Sequence, residues 1–172
     1  MGGIERLRKV IKSFNGVKAR AGWFSSAKYN GNGVPVARVA MWQEYGTSKI
    51  PPRPFMWPTI LSKSGEWLDT AGRGVNAVFM GKGSAETVMT ALAQRVAADL
   101  RVAISEVREP PISPVTHLLR EWRRSGAEIN QTKVWEAINA VKKGERASGV
   151  SDQPLNDTGY MITTLTGIAV KK

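Results

Sequence analysis

Few residues of this chain have the types and spacing that catalysis requires. His117 is the single histidine among the 172 residues, and the sequence contains no cysteine. A catalytic site needs a nucleophile with a base, a pair of carboxylates, or a set of metal ligands. No acid or hydroxyl group near His117 in the sequence suggests a triad, and no thiolate is available to bind a metal. We therefore expect no catalytic residue, no metal site and no cofactor.

The other chemical motifs in the sequence are incomplete. The acidic pairs Glu106 with Glu109 and Asp152 with Asp157 lack the spacing of a calcium-binding loop. The segment Gly81-Lys82-Gly83-Ser84 resembles a fragment of a phosphate-binding loop. However, its lysine precedes a glycine instead of a serine or threonine, and no clear strand comes before it. The nucleophile elbow and the dinucleotide-binding pattern are also missing. The sequence thus predicts a protein that is not an enzyme.

Positive charge dominates the composition. Lys and Arg number 25 against 14 acidic residues, which gives a net charge of +11. Such a balance favours contact with polyanions or with acidic protein surfaces. The basic residues are spread along the chain, and solvated helix faces explain the denser groups as well as nucleic-acid binding does. These groups are Arg6, Arg8, Lys9 and Lys12, then Arg120–Arg124, then Lys142 and Lys143.

Length and hydropathy limit the class of protein. The chain is long enough for one domain with a hydrophobic core, and 42% of its residues are hydrophobic. No apolar run is long enough to span a bilayer, and the N-terminal residues lack the apolar segment of a signal peptide. The absence of cysteine fits folding in a reducing cytoplasm. We expect no contact with a membrane.

The segment from residue 34 to residue 59 organises the rest of the prediction. Val34–Trp42 alternates between apolar and other residues, which predicts a half-buried strand. The polar sequence Glu44-Tyr45-Gly46-Thr47 then predicts a turn. The prolines of Pro51-Pro52-Arg53-Pro54-Phe55 restrict the backbone, and Pro58 suits the first turn of a helix. The sequence therefore predicts a rigid, basic and aromatic corner that is suited to protein contact.

Hydrophobic periodicity and turn residues predict the remaining elements. We expect a hairpin in which Val17–Phe24 pairs with the strand from Val34, across a loop over Ser25–Gly33. A final strand would join them, giving a small antiparallel sheet of three or more strands packed against several helices. This is a single α+β domain over residues 1–172, in which residues 121–153 form a less regular insertion of helix and loop. The predicted helices are 3–14, Met56–Met80, 85–Val107, Thr116–Arg124 and Gln131–Lys143, and the final strand is Leu165–Val170.

Three motifs together resemble one protein family. A turn Glu44-Tyr45-Gly46-Thr47 followed by Pro51-Pro52-Arg53-Pro54-Phe55 and a helix resembles the tail-completion proteins of tailed bacteriophages, also called virion morphogenesis, tail-component or neck proteins. The second and third motifs follow it in the family's order, and residues 121–148 carry no such motif. They are Pro110-Pro111-Ile112-Ser113-Pro114 with Thr116 and Arg120, and Pro154-Leu155-Asn156-Asp157-Thr158-Gly159. Gly22-Trp23-Phe24 and Tyr29 precede the first motif, as the first strand and loop of the family would.

The resemblance implies a structural protein of the virion that acts late in tail assembly in the host cytoplasm. It implies a homo-oligomer, expected as a hexameric ring, that completes or terminates the tail at its end nearest the head and helps to form the head–tail joint. The implied partners are the tail tube protein and the neck or connector proteins. DNA in the lumen of the ring is a further expected contact, of a non-specific kind.

The candidate site is a set of contact residues at the corner. The expected subunit-contact residues are Trp42, Glu44, Tyr45, Gly46, Thr47, Arg53, Pro54, Phe55 and Trp57. For the aromatic residues, core packing competes with subunit contact, and for Arg53 an intrachain salt bridge competes with a bond between subunits. Asp157, Thr158 and Gly159 form the C-terminal motif, for which the sequence favours helix capping.

Two alternatives remain open at this point. Within the phage setting, the chain could be a neck or connector subunit on the head side, or a minor tail component. In another class, it could be a basic nucleic-acid-binding protein, whose affinity would depend steeply on salt.

Overall fold

Helices dominate the structure, which is a computed structural model that describes residues 3–30 and 33–171. Gly31 and Asn32, part of the predicted hairpin loop, lie outside the described residues. The elements in chain order are α1 Gly3–Phe14, β1 Val17–Gly22, α2 Val36–Tyr45, α3 Met56–Phe79, α4 Ala85–Glu106, α5 Pro114–Arg124, α6 Gln131–Lys142, α7 Tyr160–Thr163 and β2 Thr166–Lys171.

The prediction of a strand over Val34–Trp42 is wrong, because this segment contains most of α2. Its buried residues are Val36, Ala40 and Glu44, which are four residues apart and so lie on one face of a helix. Pro35 precedes the first helical residue, where its missing N–H costs no hydrogen bond. The alternating pattern in this segment also satisfied the helical period, so it did not distinguish the two structures.

The sheet is smaller than predicted. Among the described residues it has two strands, β1 and β2, which pair antiparallel from Val17 opposite Lys171 to Gly22 opposite Thr166. The prediction of three or more strands is therefore wrong. The expected hairpin partner of β1 is helical, and the early loop contributes only an isolated bridge between Lys28 and Pro35.

Helix α4 lies at the centre of the fold. It packs against both strands and against α3, and α7 also contacts it. Its buried residues Ala93, Ala97, Leu100 and Ile104 form one stripe, and the small alanines let neighbouring backbones approach closely. The core around this stripe includes Val36, Ala40, Phe55, Leu155, Met161 and Leu165.

Five predicted helices are confirmed to within a few residues at their ends, namely α1, α3, α4, α5 and α6. Three of them are preceded by an N-cap residue, whose side-chain oxygen accepts a backbone N–H group of the first turn. These are Ser84 for α4, Ser113 for α5 and Asn130 for α6. Helix α6, within the segment that carries no recognised motif, packs mainly against α5.

The contact between β2 and α4 leaves no room for a side chain at Gly167. A Cβ atom built there would lie 2.1 Å from the carbonyl oxygen of Ala93, closer than any real contact. The substitution Gly167→Ala should therefore lower the free energy of unfolding by about 2–3 kcal/mol, because backbone atoms must move to relieve the overlap. The measurement is urea-induced unfolding at a fixed protein concentration.

Gly65→Ala is the matched control for this prediction. Gly65 lies inside α3, and an added Cβ would meet no atom within 4 Å. Replacing it by alanine should raise the free energy of unfolding by up to about 1 kcal/mol through helix propensity alone. Equal changes in the two variants would contradict the close contact between β2 and α4.

Candidate subunit-contact site

The buried carboxylate of Glu44 joins α2 to α3. One oxygen accepts the backbone N–H groups of Phe55 and Met56, and the other accepts that of Trp57, each at 2.8 Å. The first four N–H groups of a helix have no partner within the helix, and the fourth position here is Pro58, which has none to offer. Glu44, only 6% exposed, thus supplies an acceptor for every free N–H group at the start of α3.

The segment between the two helices is a tight turn. Gly46 has φ of 75°, and a Cβ atom there would lie 2.9 Å from the carbonyl oxygen of Ile50, so this position requires glycine. The Thr47 hydroxyl accepts the backbone N–H groups of Lys49 and Ile50 at 3.2 and 3.0 Å. The predicted turn over Glu44-Tyr45-Gly46-Thr47 begins too early, because Glu44 and Tyr45 are the last residues of α2. The chain turns from Gly46 onward, after a helix and not a strand.

Arg53 binds the proline-rich segment before α5. Its Nε donates to the Pro110 carbonyl at 2.6 Å, and its terminal nitrogens donate to the Pro111 carbonyl at 3.0 Å and to Oε1 of Gln43 at 3.3 Å. Its backbone N–H also donates to the carbonyl of Gln43 at 2.6 Å. The bonds of Arg53 are therefore intrachain, but they reach carbonyl groups and not the carboxylate of a salt bridge.

Phe55 belongs to the hydrophobic core. It is 2% exposed and meets Trp23 edge to face, with ring centroids 6.1 Å apart. The indole Nε1 of Trp23 in turn donates to the carbonyl of Met161 at 2.7 Å. Two segments of the resemblance, residues 22–24 and residues 51–55, therefore contact each other through their aromatic residues.

Arg120 binds the C-terminal motif in the way that Arg53 binds the mid-chain motif. Its terminal nitrogens donate to the carbonyl groups of Ser151, Gln153 and Pro154 at 2.8, 2.9 and 3.1 Å. Its Nε lies 3.6 Å from Oδ1 of Asp157. Arg120 is 5% exposed, so these contacts are made in the interior. The second and third motifs are thus connected by one buried side chain.

The prediction that Asp157 caps the last short helix is wrong. The residue before α7 is Gly159, with φ of 72° and no side-chain cap. Asp157 instead forms ion pairs with Arg120 and Arg123. The Thr158 hydroxyl accepts the backbone N–H of Tyr160 at 3.3 Å, a local turn contact. Because the Asp157 carboxylate pairs with these two arginines, it does not cap the backbone of α7.

Burial shifts the pKa of three groups around this network. It lowers the pKa of the Arg53 guanidinium group. It also lowers the pKa of Arg120, an effect that the Asp157 carboxylate opposes and that Arg123 and Arg53 reinforce. Burial raises the pKa of the Tyr29 hydroxyl, as does the nearby charge of Asp157. The buried guanidinium groups are stabilised by the carbonyl oxygens that surround them.

The candidate contact residues divide into an interior set and a surface set. Glu44, Arg53 and Phe55 are buried and are engaged by the chain's own atoms. Tyr45 and Trp57 are 78% and 60% exposed. Trp42 and Gly46 are half-buried, and Thr47 and Pro54 are exposed. The predicted role in subunit contact therefore concerns the surface set, and for those residues it stays a prediction.

Sequence reasoning missed the partners of the two buried arginines. Proline lacks an N–H group, so proline-rich segments do not form regular ladders and their carbonyl groups need other donors. Arginine offers five donors in a planar fork. The presence of Arg53 and Arg120 beside three proline-containing motifs was the available signal. No local signal pointed to the partners of Glu44, which lie at the start of α3, more than ten residues downstream.

Comparison with protein-family models, with curated proteins and with solved structures returned no match for this chain. Within residues 3–30 and 33–171, no helix combines the length and apolar character needed to cross a bilayer. The same described residues contain no cluster of three or more His, Cys, Asp or Glu side chains placed to hold a metal ion.

Removing the Glu44 carboxylate should destabilise the joint between α2 and α3. We expect Glu44→Ala to lower the free energy of unfolding by about 3 kcal/mol, because three buried N–H groups lose a charged acceptor. Glu44→Gln should cost roughly half as much, since one amide oxygen still accepts. Urea-induced unfolding measures both variants. Glu86→Ala, in the exposed first turn of α4, is the control; a similar loss there would refute a special role for Glu44.

Replacing Arg53 by lysine tests the forked contact with the proline-rich segment. Lysine keeps the charge but cannot reach both proline carbonyls and Gln43, so we expect a loss of about 2 kcal/mol in the free energy of unfolding. Arg95→Lys serves as the control, because Arg95 is half exposed and bound to Glu66 and Asp99 at the surface. A loss no larger than in the control would show that charge alone suffices at position 53.

Proposed function

We propose that this chain is a structural subunit of a bacteriophage virion. It would complete or terminate the tail at its head-proximal end and help to form the head–tail joint. It would act by assembly into a ring, expected to contain six subunits, and by contact with the tail tube and neck proteins. The observation that carries the proposal is that hydrogen bonds of Arg53 and Arg120 join the three motifs, which are far apart in sequence. We call the three bonded motifs, together with Glu44, the scaffold.

The scaffold links segments that are far apart in sequence. Arg53 in the first motif donates to the carbonyl groups of Pro110 and Pro111 in the second. Arg120, at the end of the second motif, donates to Pro154 in the third and pairs with Asp157. The three motifs that resemble the tail-completion family are therefore joined by direct contacts in this fold. These contacts support the resemblance more strongly than the occurrence of each motif alone.

The polar residues of the scaffold form hydrogen bonds to other atoms of the chain. The guanidinium nitrogens of Arg53 and Arg120 have oxygen partners within the chain. Both carboxylate oxygens of Glu44 accept backbone N–H groups. Such a network fixes the position of surface groups, which is what an assembly subunit needs.

The uneven distribution of charge supports a second candidate function. Residues 1–43 contain eight Lys or Arg against one acidic residue, Glu5, whereas the remaining residues contain 17 against 13. Among the described residues, none of these eight basic side chains forms a salt bridge. Lys18 and Arg20 are exposed on β1. Exposed basic residues of this kind fit nucleic-acid binding, either alone or in the lumen of a ring.

The assembly proposal predicts the mass of the purified protein. Light scattering at two protein concentrations and two salt levels should give a closed species of about six times the 18.8 kDa mass of the chain. Its mass should not rise further with concentration, because a ring has no free ends. Negative-stain electron microscopy should show rings with a central opening.

Other outcomes separate the alternatives. A monomer under all conditions would refute assembly in solution. The presence or absence of the chain in purified tail particles would then decide whether it joins the virion at a docking site. Binding to double-stranded DNA that weakens steeply with salt would support the nucleic-acid function, and binding too weak to measure at low salt would exclude it.

A further inference from the structure

The N-terminal helix presents its apolar residues to solvent. Helix α1 packs against α3 and α4, with Val10 buried and Arg6 placed 6.0 Å from the centre of the Phe79 ring. Ile4, Leu7 and Ile11 are 71%, 49% and 63% exposed. The face of α1 that is turned toward the protein therefore includes Val10 and Arg6. We call Ile4, Leu7 and Ile11 the α1 stripe.

Helix α3 also has an apolar outer face. Leu61, Leu68 and Val75 are seven residues apart, and Trp57 precedes Leu61 by one turn; their exposed fractions are 63%, 72%, 40% and 60%. At 1.5 Å per residue this line extends over about 27 Å. Gly65 and Gly72 lie beside it, and neither would meet another atom if it carried a Cβ. We call Trp57, Leu61, Leu68 and Val75 the α3 stripe.

The α3 stripe places four large apolar side chains, each at least 40% exposed, along one surface helix. Large exposed apolar patches on a monomer are often functional.

The two stripes complement each other in spacing and in charge. Ile4 and Ile11 are seven residues apart, as are Leu68 and Val75, which is the spacing of two helices that pack side by side. Arg8 and Lys12 are exposed beside the α1 stripe. Asp69 is exposed beside Leu68 and, in the described part of the chain, forms no salt bridge. Both surfaces that such a contact needs are therefore on one chain.

We propose that the α1 stripe of one copy packs along the α3 stripe of the next copy, with Arg8 or Lys12 near Asp69. The contact uses two different surfaces of the chain, so it is heterologous, and repeating it closes a ring when the rotation between copies permits. This inference rests on the proposed ring-forming function and specifies the surfaces that the function would use. The partner is a second copy of this chain.

Cysteine cross-linking tests the contact directly, since the natural chain has no cysteine. We would prepare Leu7→Cys and Leu68→Cys as separate proteins, mix them, and oxidise them under mild conditions. The expected product is a disulfide-linked dimer in the mixture, at least tenfold more abundant than in either protein alone. Lys142→Cys, exposed on α6, is the control partner for each variant and should give only background dimer.

Each result decides a different question. Dimers of Leu68→Cys alone would show that α3 pairs with α3, and would overturn the proposed pairing. A ring mass that persists in the wild type and in Leu68→Glu, without cross-linking between positions 7 and 68, would overturn this contact but leave ring assembly intact. A wild type that stays monomeric and does not cross-link in the mixture would overturn it as well, and the analysis of tail particles would then test the proposed function separately.

Discussion

The geometry of the corner depends on a buried carboxylate that binds the N-terminus of a helix. Taking a carboxylate out of water costs several kcal/mol unless hydrogen bonds replace its hydration. At Glu44 three backbone N–H groups and the positive end of the α3 dipole offset this cost. Pro58 has no N–H group, so the single carboxylate of Glu44 accepts every free N–H group at the start of α3. The angle between α2 and α3 is therefore fixed by electrostatics as well as by packing.

Guanidinium groups hold the irregular segments to other parts of the fold. Arg53, Arg101 and Arg120 all donate to backbone carbonyl groups of segments far away in the sequence. Those segments contain prolines or short turns and do not form sheet ladders, so their carbonyl groups need donors from side chains. Arginine is suited to this task because its charge remains even where burial lowers its pKa.

Prediction from sequence succeeded where local signals agreed and failed where one pattern fitted two structures. Ser84 as a cap and an apolar stripe through Val96 and Leu100 are enough to define α4 from the sequence alone. The spacing of Val36 and Ala40 fitted both a strand and a helix, and contact with the core decided for the helix. Glu44 could be singled out by its position in a motif. Its actual partners, the N–H groups of α3, depend on the path of the chain after it, which local patterns do not determine.

The exposed stripe on α3 is not required for the packing of that helix on its neighbour. Gly74 fits against Val88, and the indole of Trp67 donates to Asp99 at 2.8 Å, so the inner face of α3 already holds it to α4. Leu61 and Leu68 add nothing to those contacts, since both point outward. Trp57 and Tyr45 flank the Glu44 joint, and a rigid backbone lowers the conformational entropy that such side chains lose on association. The interaction that fixes the corner therefore also fixes the backbone that carries these two exposed aromatic residues.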